Sequence, residues 1–134
     1  MSQNPTKLSY IKKTVKEYDF YFKKELGQNF ITDENIVRKI LSRSGIAEDD
    51  CVLEIGPGLG ALTYSLIQQC NKAVAIEKDS ILHAILKNNF AGCGNLTLLN
   101  EDVLKFDFST LPALLETDQP IKVISNLPYS ITSA

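Results

Sequence analysis

A glycine-rich segment is the first part of the sequence whose residue types and spacing suggest chemistry. Residues 54–60 read EIGPGLG and directly follow a short apolar run. Glycines between a strand and a helix let the backbone approach a ligand closely and direct helix N-terminal amides toward it. Gly56, Gly58 and Ala61 also satisfy the dinucleotide pattern GxGxxG/A, with Glu77 about 20 residues further on. The motif favours a nucleotide-binding turn, and a tight turn without a ligand is the alternative.

Two acidic positions follow later apolar runs. Glu77 comes after the second run, where a carboxylate can accept hydrogen bonds from the vicinal hydroxyls of a ribose. Asp102, in the pair Glu101-Asp102, follows the third run and can accept a hydrogen bond from an adenine amino group. Loop acids are usually only solvated. The prediction therefore depends on both acids and the glycine segment meeting at one cleft.

A fourth motif, Asn126-Leu127-Pro128-Tyr129, follows the fourth apolar run. In a doubly wound sheet, ligands bind outside the carboxyl ends of the strands where the strand order reverses. If the order is 3-2-1-4, the glycine segment and this motif face each other across one crevice, one holding a cofactor and the other a second substrate. Asn126 and a nearby carbonyl can orient an amine, and Tyr129 offers a flat face for stacking. An ordinary strand-ending turn is the alternative.

The elements that must position these motifs alternate between strand and helix. We predict a buried strand over the short apolar, β-prone run Cys51–Ile55, and further strands over Ala73–Ile76, Leu96–Leu99 and Ile121–Ser125. Helical periodicity predicts helices between and before them, with the buried stripes Ile36, Val37, Ile40, Leu41; Leu62, Leu66, Ile67, Cys70; and Ile81, Leu82, Ile85, Leu86. Alternation of this kind indicates right-handed βαβ units and a parallel sheet covered on both faces.

Helix ends are predicted from capping residues. Thr32 and Gly45 are the expected start and stop signals of the helix before the first strand. The helix after the glycine segment is expected from Gly60 to Cys70, and Asp79 is expected to cap the next one. A short turn of helix is expected at Pro112, capped by Thr110.

The composition limits the class of protein. A chain of 134 residues with 44% apolar content can bury one core. No apolar run approaches the ~20 residues that span a bilayer, and the first residues do not resemble a signal peptide, so we expect a cytoplasmic protein. Three cysteines, Cys51, Cys70 and Cys93, follow no ligand spacing. We therefore expect no metal site and interpret them as small buried hydrophobes.

The net charge of −2 is unevenly distributed. Residues 1–24, here called the arm, carry six lysines against two acids, and the remaining residues carry eight basic and fourteen acidic side chains. The net charge of the arm is therefore +4, and that of the body, residues 25–134, is −6. The aromatic residues of the arm are Tyr10, Tyr18, Phe20, Tyr21 and Phe22. The arm either contacts phosphates and stacks on bases, or packs its rings on the body and leaves its lysines in solvent.

Four motifs in this order resemble the small-subunit (16S) ribosomal RNA adenine N6,N6-dimethyltransferases, the KsgA type. The resemblance runs from about Lys23 to the last residue and includes residues 26–30, LGQNF, similar to the N-terminal cofactor motif of that family. It implies a Rossmann-like class I methyltransferase fold, truncated after the fourth strand. The further strands and the helical C-terminal domain of the family lie beyond the 134 residues, so residues 25–134 correspond to part of a cofactor-binding domain.

The resemblance also implies roles for particular residues. It implies that S-adenosyl-L-methionine is the cofactor and that Asn126 to Tyr129 hold the target adenine. The implied cofactor contacts are Asn29, Ile31, Gly56, Gly58, Glu77, Asp102 and Asn126. The family usually has leucine where Ile31 stands, a small change if only the backbone contacts the cofactor. The implied partner is 16S rRNA in the small subunit, bound by a protein that is monomeric at full length, needs no metal and does not contact a membrane.

Three alternatives remain open from the sequence. The macrolide-resistance type of 23S rRNA adenine methylase shares these motifs, although the lysine-rich arm before Gly27 favours the 16S enzyme. A non-catalytic assembly factor that binds pre-rRNA through the arm would explain the charge pattern. An NAD-linked dehydrogenase would explain the glycine segment and Glu77, but would give residues 126–129 no role.

Overall fold

The fold is a four-stranded parallel sheet with helices on both faces. A computed structural model of the chain describes residues 2–18 and 33–125. The strands are β1 (Cys51–Ile55), β2 (Lys72–Ile76), β3 (Leu96–Leu99) and β4 (Lys122–Ser125). The helices are α1 (Leu8–Glu17), α2 (Glu34–Ser44), α3 (Ala61–Leu66), α4 (Ser80–Asn89) and α5 (Leu111–Leu115), with short 3-10 turns at Val103–Lys105 and Phe108–Thr110.

The strand order is β3-β2-β1-β4, and all three pairings are parallel. This confirms the predicted order and places the reversal between β1 and β4. Ile55 at the end of β1 is in register with Ile76 of β2 and with Ser125 of β4. The carboxyl ends of these strands therefore lie side by side, as a ligand cleft of a doubly wound sheet requires.

The core has two layers because successive strand residues point to opposite faces. On one face, Val52 of β1 and Leu62 of α3 belong to an apolar cluster that also includes Val37 and Leu41 of α2. On the other face, Leu53 of β1 packs in a cluster with residues of β2 and α5. The sheet is thus covered on both sides, and β1 is buried along nearly its whole length.

The described part of the arm packs on the body. The Gln3 backbone N–H donates to Asn89 Oδ1 (2.8 Å), and Asn89 Nδ2 donates to the Gln3 carbonyl (2.9 Å). Asn4 Nδ2 donates to Glu34 Oε1 at 2.6 Å. Tyr10 is 6% exposed, and Tyr18 packs beside Leu59, Leu82 and Ile85. Tyr10 and Tyr18 therefore pack on the body, which is the second of the two alternatives given for the arm. The other three rings lie outside the described residues.

Several helix predictions need correction. Asp33 rather than Thr32 is the N-cap of α2, and its side chain accepts the Asn35 N–H at 2.8 Å. A carboxylate at this position satisfies an amide that has no partner within the helix. Thr32 itself lies outside the described residues. The end of α2 at Gly45, whose φ is 71°, is confirmed.

Two other elements differ in extent or capping. The helix α3 ends at Leu66 rather than Cys70, because the chain already turns there, with the Gln69 N–H donating to the Leu66 carbonyl (2.9 Å). A helix forms at Pro112 as predicted and Thr110 is its N-cap residue, but the Thr110 side chain makes no capping hydrogen bond. The Thr110 hydroxyl instead donates to the Asp107 carbonyl at 2.8 Å.

Three residues depart from the predicted burial. Ile36 and Ile81 were expected on buried stripes, but they lie at the solvent edges of α2 and α4 and are exposed. Cys51 and Cys70 are buried as predicted, and Cys93 is only partly buried. Apolar periodicity locates the centre of a buried stripe more reliably than its edges, and each of these two isoleucines directly precedes a buried residue, Val37 or Leu82.

Candidate functional site

The glycine segment forms a tight turn between β1 and α3. Gly56, Gly58 and Gly60 adopt φ values of 68°, 62° and 90°, in the left-handed region that side chains disfavour. The Gly56 N–H donates to the Ile76 carbonyl at 3.0 Å, which fixes the start of the turn to the end of β2. Glycine at these three positions therefore follows from backbone conformation before any ligand is considered.

Gly60 has a second reason to be glycine. A Cβ built there would lie 2.6 Å from Phe90 Cε2 and 2.9 Å from Leu86 Cδ2. Both of those side chains are almost fully buried near the end of α4. Gly60 thus permits the residue that precedes α3 to lie close against Leu86 and Phe90, a role that the sequence pattern alone did not assign.

Glu77, after β2, is tied to the backbone on both sides of the cleft. Its Oε1 accepts the Gly58 N–H at 3.1 Å, and its Oε2 accepts the Asp79 N–H at 2.9 Å. The residue is only 7% exposed. Burial raises the pKa of this carboxyl, and the two N–H groups partly oppose that rise because they favour the charged form. The predicted ribose ligand is therefore also the link between the glycine turn and α4.

The loop after β2 is held by two further side chains. Asp79 caps α4 as predicted, and its Oδ1 accepts the N–H groups of Ile81 (2.8 Å) and Leu82 (2.9 Å). Asn100 Nδ2 donates to the carbonyls of Glu77 (2.9 Å) and Lys78 (3.1 Å). Asn100 was not predicted. Its position just after β3, where a side chain reaches the preceding loop of a parallel sheet, is the signal that could have identified it.

Asp102 lies on the opposite wall. Its Oδ1 accepts the Leu104 N–H at 3.0 Å, which starts the turn Val103–Lys105. Its Oδ2 lies 3.7 Å from Lys78 Nζ, so an ion pair joins the two sides of the opening. Lys78 is largely exposed, and such a pair contributes about 0–1 kcal/mol. The carboxylate therefore keeps acceptor capacity for a ligand.

These groups surround one cleft of about 190 Å³ at the ends of β1, β2 and β3. Its polar lining comes from Gly56 and the side chains of Glu77, Lys78, Glu101 and Asp102. Its apolar walls are Ile55, Ile76, Val103 and Leu104. Apolar walls with a few convergent polar groups are typical of a small-molecule site. The structure thus brings Gly56, Glu77 and Asp102 together, with Gly58 joined to them through Glu77.

A buried carboxyl lies directly beneath the glycine turn. Glu54, on β1, is 2% exposed, and its Oε1 accepts a hydrogen bond from the Thr63 hydroxyl of α3. Burial raises the pKa of Glu54 to about 7, and the nearby Glu77 charge adds to the rise while the Thr63 bond opposes it. A strand with a single acid among apolar residues was the available signal, but the sequence assigned Glu54 no separate role.

The remaining predicted residues lie outside the described residues: Asn29, Ile31, Asn126, Leu127, Pro128 and Tyr129. The structure does fix the residue that precedes the fourth motif. Ser125 is in register with Ile55, and its hydroxyl donates to the Ile55 carbonyl at 3.2 Å. The chain therefore reaches position 125 beside the residue that begins the glycine turn.

Within residues 2–18 and 33–125, no group of His, Cys, Asp and Glu side chains is arranged to hold a metal ion. None of the helices described there is long and apolar enough to cross a membrane.

Solved structures with the same fold identify the class as the Rossmann-like methyltransferases. The 23S rRNA methyltransferase ErmE is 28% identical, with a TM-score of 0.66 over 78% of this chain and 40% of that one. A dimethyladenosine transferase from Plasmodium falciparum is 29% identical, with a TM-score of 0.63 over 78% of this chain and 36% of that one.

The sequence comparisons narrow this class to one family. Residues 19–134 match the family model for ribosomal RNA adenine dimethylases, so the chain belongs to that family. A ribosomal RNA small subunit methyltransferase A from Alkaliphilus metalliredigens is 46% identical over 93% of this chain. The match covers 44% of that relative, so the chain spans less than half the length of this curated relative.

Proposed function

We propose that the chain supplies the cofactor-binding part of an S-adenosyl-L-methionine-dependent dimethyltransferase acting on adenine N6 of 16S rRNA in the small ribosomal subunit. The observation that carries this proposal is the meeting of Gly56, Glu77 and Asp102 at one cleft of a methyltransferase fold. Family membership supports the substrate class. We further propose a cytoplasmic protein that needs neither metal nor membrane, is monomeric at full length, and acts in ribosome biogenesis.

The lining of the cleft fits S-adenosyl-L-methionine. Glu77 is placed to accept ribose hydroxyls, because each of its oxygens has a lone pair beyond the one used by a backbone N–H. Ile76, Val103 and Leu104 form apolar walls suited to an adenine ring, and Asp102 at their edge can accept its amino protons. The glycine turn, free of side chains, allows close approach of the rest of the cofactor. We propose that Asn29, Ile31 and Asn126 complete the contacts.

The protein's contribution to the reaction is positioning and electrostatics. When bound, the cofactor supplies an activated methyl group on a sulfonium, so the protein needs no nucleophile of its own. An adenine amine is a poor nucleophile because its lone pair is delocalised into the ring. In our proposal Asn126 Oδ1 and a carbonyl near Leu127 accept the two N–H bonds, Pro128 stiffens that turn, and Tyr129 stacks on the flipped base. The released proton leaves to solvent.

The decisive experiment compares ligand protection in a melting assay. S-adenosylhomocysteine should raise the Tm of the chain in a concentration-dependent way, whereas NADH should not. Because the cleft also satisfies the pattern of a dinucleotide site, protection by NADH alone would replace the methyltransferase proposal with the dehydrogenase alternative. Glu77→Gln serves as the matched variant, since it should weaken protection by the true ligand only.

The 23S alternative has one observation in its favour, the structural similarity to ErmE. The identity of 46% to a relative named for the small subunit, against 28% to ErmE, favours 16S rRNA. Methyl incorporation into isolated small and large subunits, measured separately with a full-length relative, distinguishes the two. Binding of S-adenosylhomocysteine without methyl transfer to pre-subunits would instead favour the non-catalytic assembly factor.

A further inference from the structure

The outer face of α1 is held in a fixed orientation. Tyr10 and Thr14 lie on its inner side and are buried. Pro5, before the helix, is also buried, and the hydrogen bonds of Gln3 with Asn89 anchor the chain just ahead of it. With one side of a ten-residue helix fixed in this way, the residues on the opposite side must face solvent.

That opposite face carries exposed lysines between aliphatic side chains. Lys12 and Lys16, one helical turn apart, are exposed and form no ion pair with a carboxylate of the described residues. Together with Ile11 and Val15 they line a shallow depression. Lys72, Lys78 and Lys122 differ in this respect, since each of them pairs with an acid. We call Ile11, Lys12, Val15 and Lys16 the outer face of α1.

We propose that the outer face of α1 is an RNA-binding surface, on which Lys12 and Lys16 contact phosphates while Ile11 and Val15 pack against the sugar between them. This inference rests on the proposed function, since it names a contact for that RNA substrate. Spaced ammonium groups around a small apolar patch suit an alternating chain of charged phosphates and less polar sugars.

The location and the charge balance both favour this partner. Tyr18, the C-cap residue of α1, packs beside Leu59 of the glycine turn, so α1 leads toward the edge of the cofactor cleft. The body carries −6 and would repel a phosphate backbone, whereas the arm carries +4. A polyanion approaching the cleft is therefore attracted mainly by the net positive charge of the arm.

The test uses the whole chain and a short fluorescein-labelled RNA hairpin, with anisotropy measured over a range of KCl concentrations. Lys12→Glu/Lys16→Glu should weaken binding at least tenfold. It should also lower the slope of log K against log salt by about 1.4 to 1.8, the loss of two phosphate contacts. The matched control is Lys39→Glu/Lys87→Glu, which changes the net charge equally at exposed lysines of α2 and α4. This control should retain most of the affinity and slope.

Three results would overturn the proposal. The first is no RNA binding by the unmodified chain, and the second is an equal loss in the two double variants, which would indicate net charge alone. The third is an unchanged slope in Lys12→Glu/Lys16→Glu, which would place the phosphate contacts elsewhere on the chain. Calorimetry with S-adenosylhomocysteine separates this proposal from the cofactor assignment, because both double variants should bind it normally. Failure of the unmodified chain to bind it would refute the proposed function instead.

Discussion

The Thr63 hydroxyl donates to the buried carboxyl of Glu54, which ties the first turns of α3 to β1 directly below the glycine turn. Neither side chain is accessible to bulk solvent to any useful extent, because Glu54 is 2% exposed and Thr63 is fully buried. A carboxyl in such a place favours its neutral form. The stability of the glycine turn therefore depends on whether the Glu54 carboxyl is protonated.

Replacing Glu54 with glutamine should change how stability depends on pH. Burial raises the pKa of Glu54 from 4.5 to about 7, so between these values the folded chain keeps a proton that the unfolded chain releases. The free energy of unfolding should fall as pH rises through this window and level off above it. Glu54→Gln should remove most of that fall, on the order of 3 kcal/mol.

Urea unfolding at pH values from about 5 to about 8 measures this effect. Glu77, whose pKa is also raised, should leave a smaller slope of the same sign in the variant. Thr63→Val is the control, because it removes the hydrogen bond but leaves the titrating carboxyl. Parallel curves for the unmodified chain and Glu54→Gln would show that Glu54 ionises freely in the folded state.

Removing the side chain of Glu77 should weaken ligand binding and also destabilise the loop after β2. Glu77→Ala should weaken S-adenosylhomocysteine binding by about 1 to 3 kcal/mol, since it removes charge-assisted hydrogen bonds. It also leaves the N–H groups of Gly58 and Asp79 without their acceptor. Calorimetry and thermal melting should therefore both change, whereas Glu77→Gln should lose affinity with a smaller drop in Tm. Unchanged affinity in the alanine variant would reject the ribose assignment.

Gly60→Ala should destabilise the chain without touching the cleft. The added methyl would meet Phe90 at 2.6 Å, and the φ of 90° is strained for any side chain. Overpacking of this kind costs about 1–3 kcal/mol, before the backbone strain is added. Denaturant unfolding measures the loss, and Phe90→Leu in the same chain should recover part of it. Gly92→Ala provides a comparison, because its φ is 84° but no atom lies within 4 Å.

The carboxylate of Asp102 should contribute to cofactor affinity through a hydrogen bond to the adenine base. Asp102→Asn keeps the side-chain oxygen that accepts the Leu104 N–H, but removes the charge that Lys78 faces. We expect a loss of about tenfold in affinity for S-adenosylhomocysteine, in line with one hydrogen bond to a charged acceptor. Lys78→Met should have little effect, because an exposed pair contributes little. A larger loss in Lys78→Met than in Asp102→Asn would reverse these roles.

The fourth motif is best tested in a full-length relative with the same residues. Asn126→Ala should mainly lower the rate of methyl transfer, because it removes an acceptor that orients the amine. Tyr129→Ala should mainly weaken RNA binding, while Tyr129→Phe keeps the stacking face and should be milder. Single-turnover kinetics and RNA binding separate the two effects. Equal damage from Phe and Ala at position 129 would show that stacking is not its main contribution.

Strand positions and order were predictable because β1 and β2 are short apolar runs bounded by glycines or acids, and parallel strands joined by helices allow few arrangements. The caps were harder to predict. Thr32 and Asp33 are both good N-cap residues, and only the backbone geometry selects Asp33. Thr63 could not be assigned in advance, since its importance depends on which strand its side chain reaches. Contacts between distant segments leave no local pattern in the sequence.

The anchoring of the arm on α4 has a consequence for how the chain is made. Gln3 and Asn89 are 86 residues apart, so the N-terminal segment has no partner when it leaves the ribosome. At about 5–20 residues per second, Asn89 follows Gln3 by roughly 4 to 17 s. Contacts of such sequence separation also form late, because the intervening loop must close first. The lysines of α1 therefore emerge early in synthesis, and the hydrogen bonds to Asn89 that help to fix their outward orientation form only after α4 has been made.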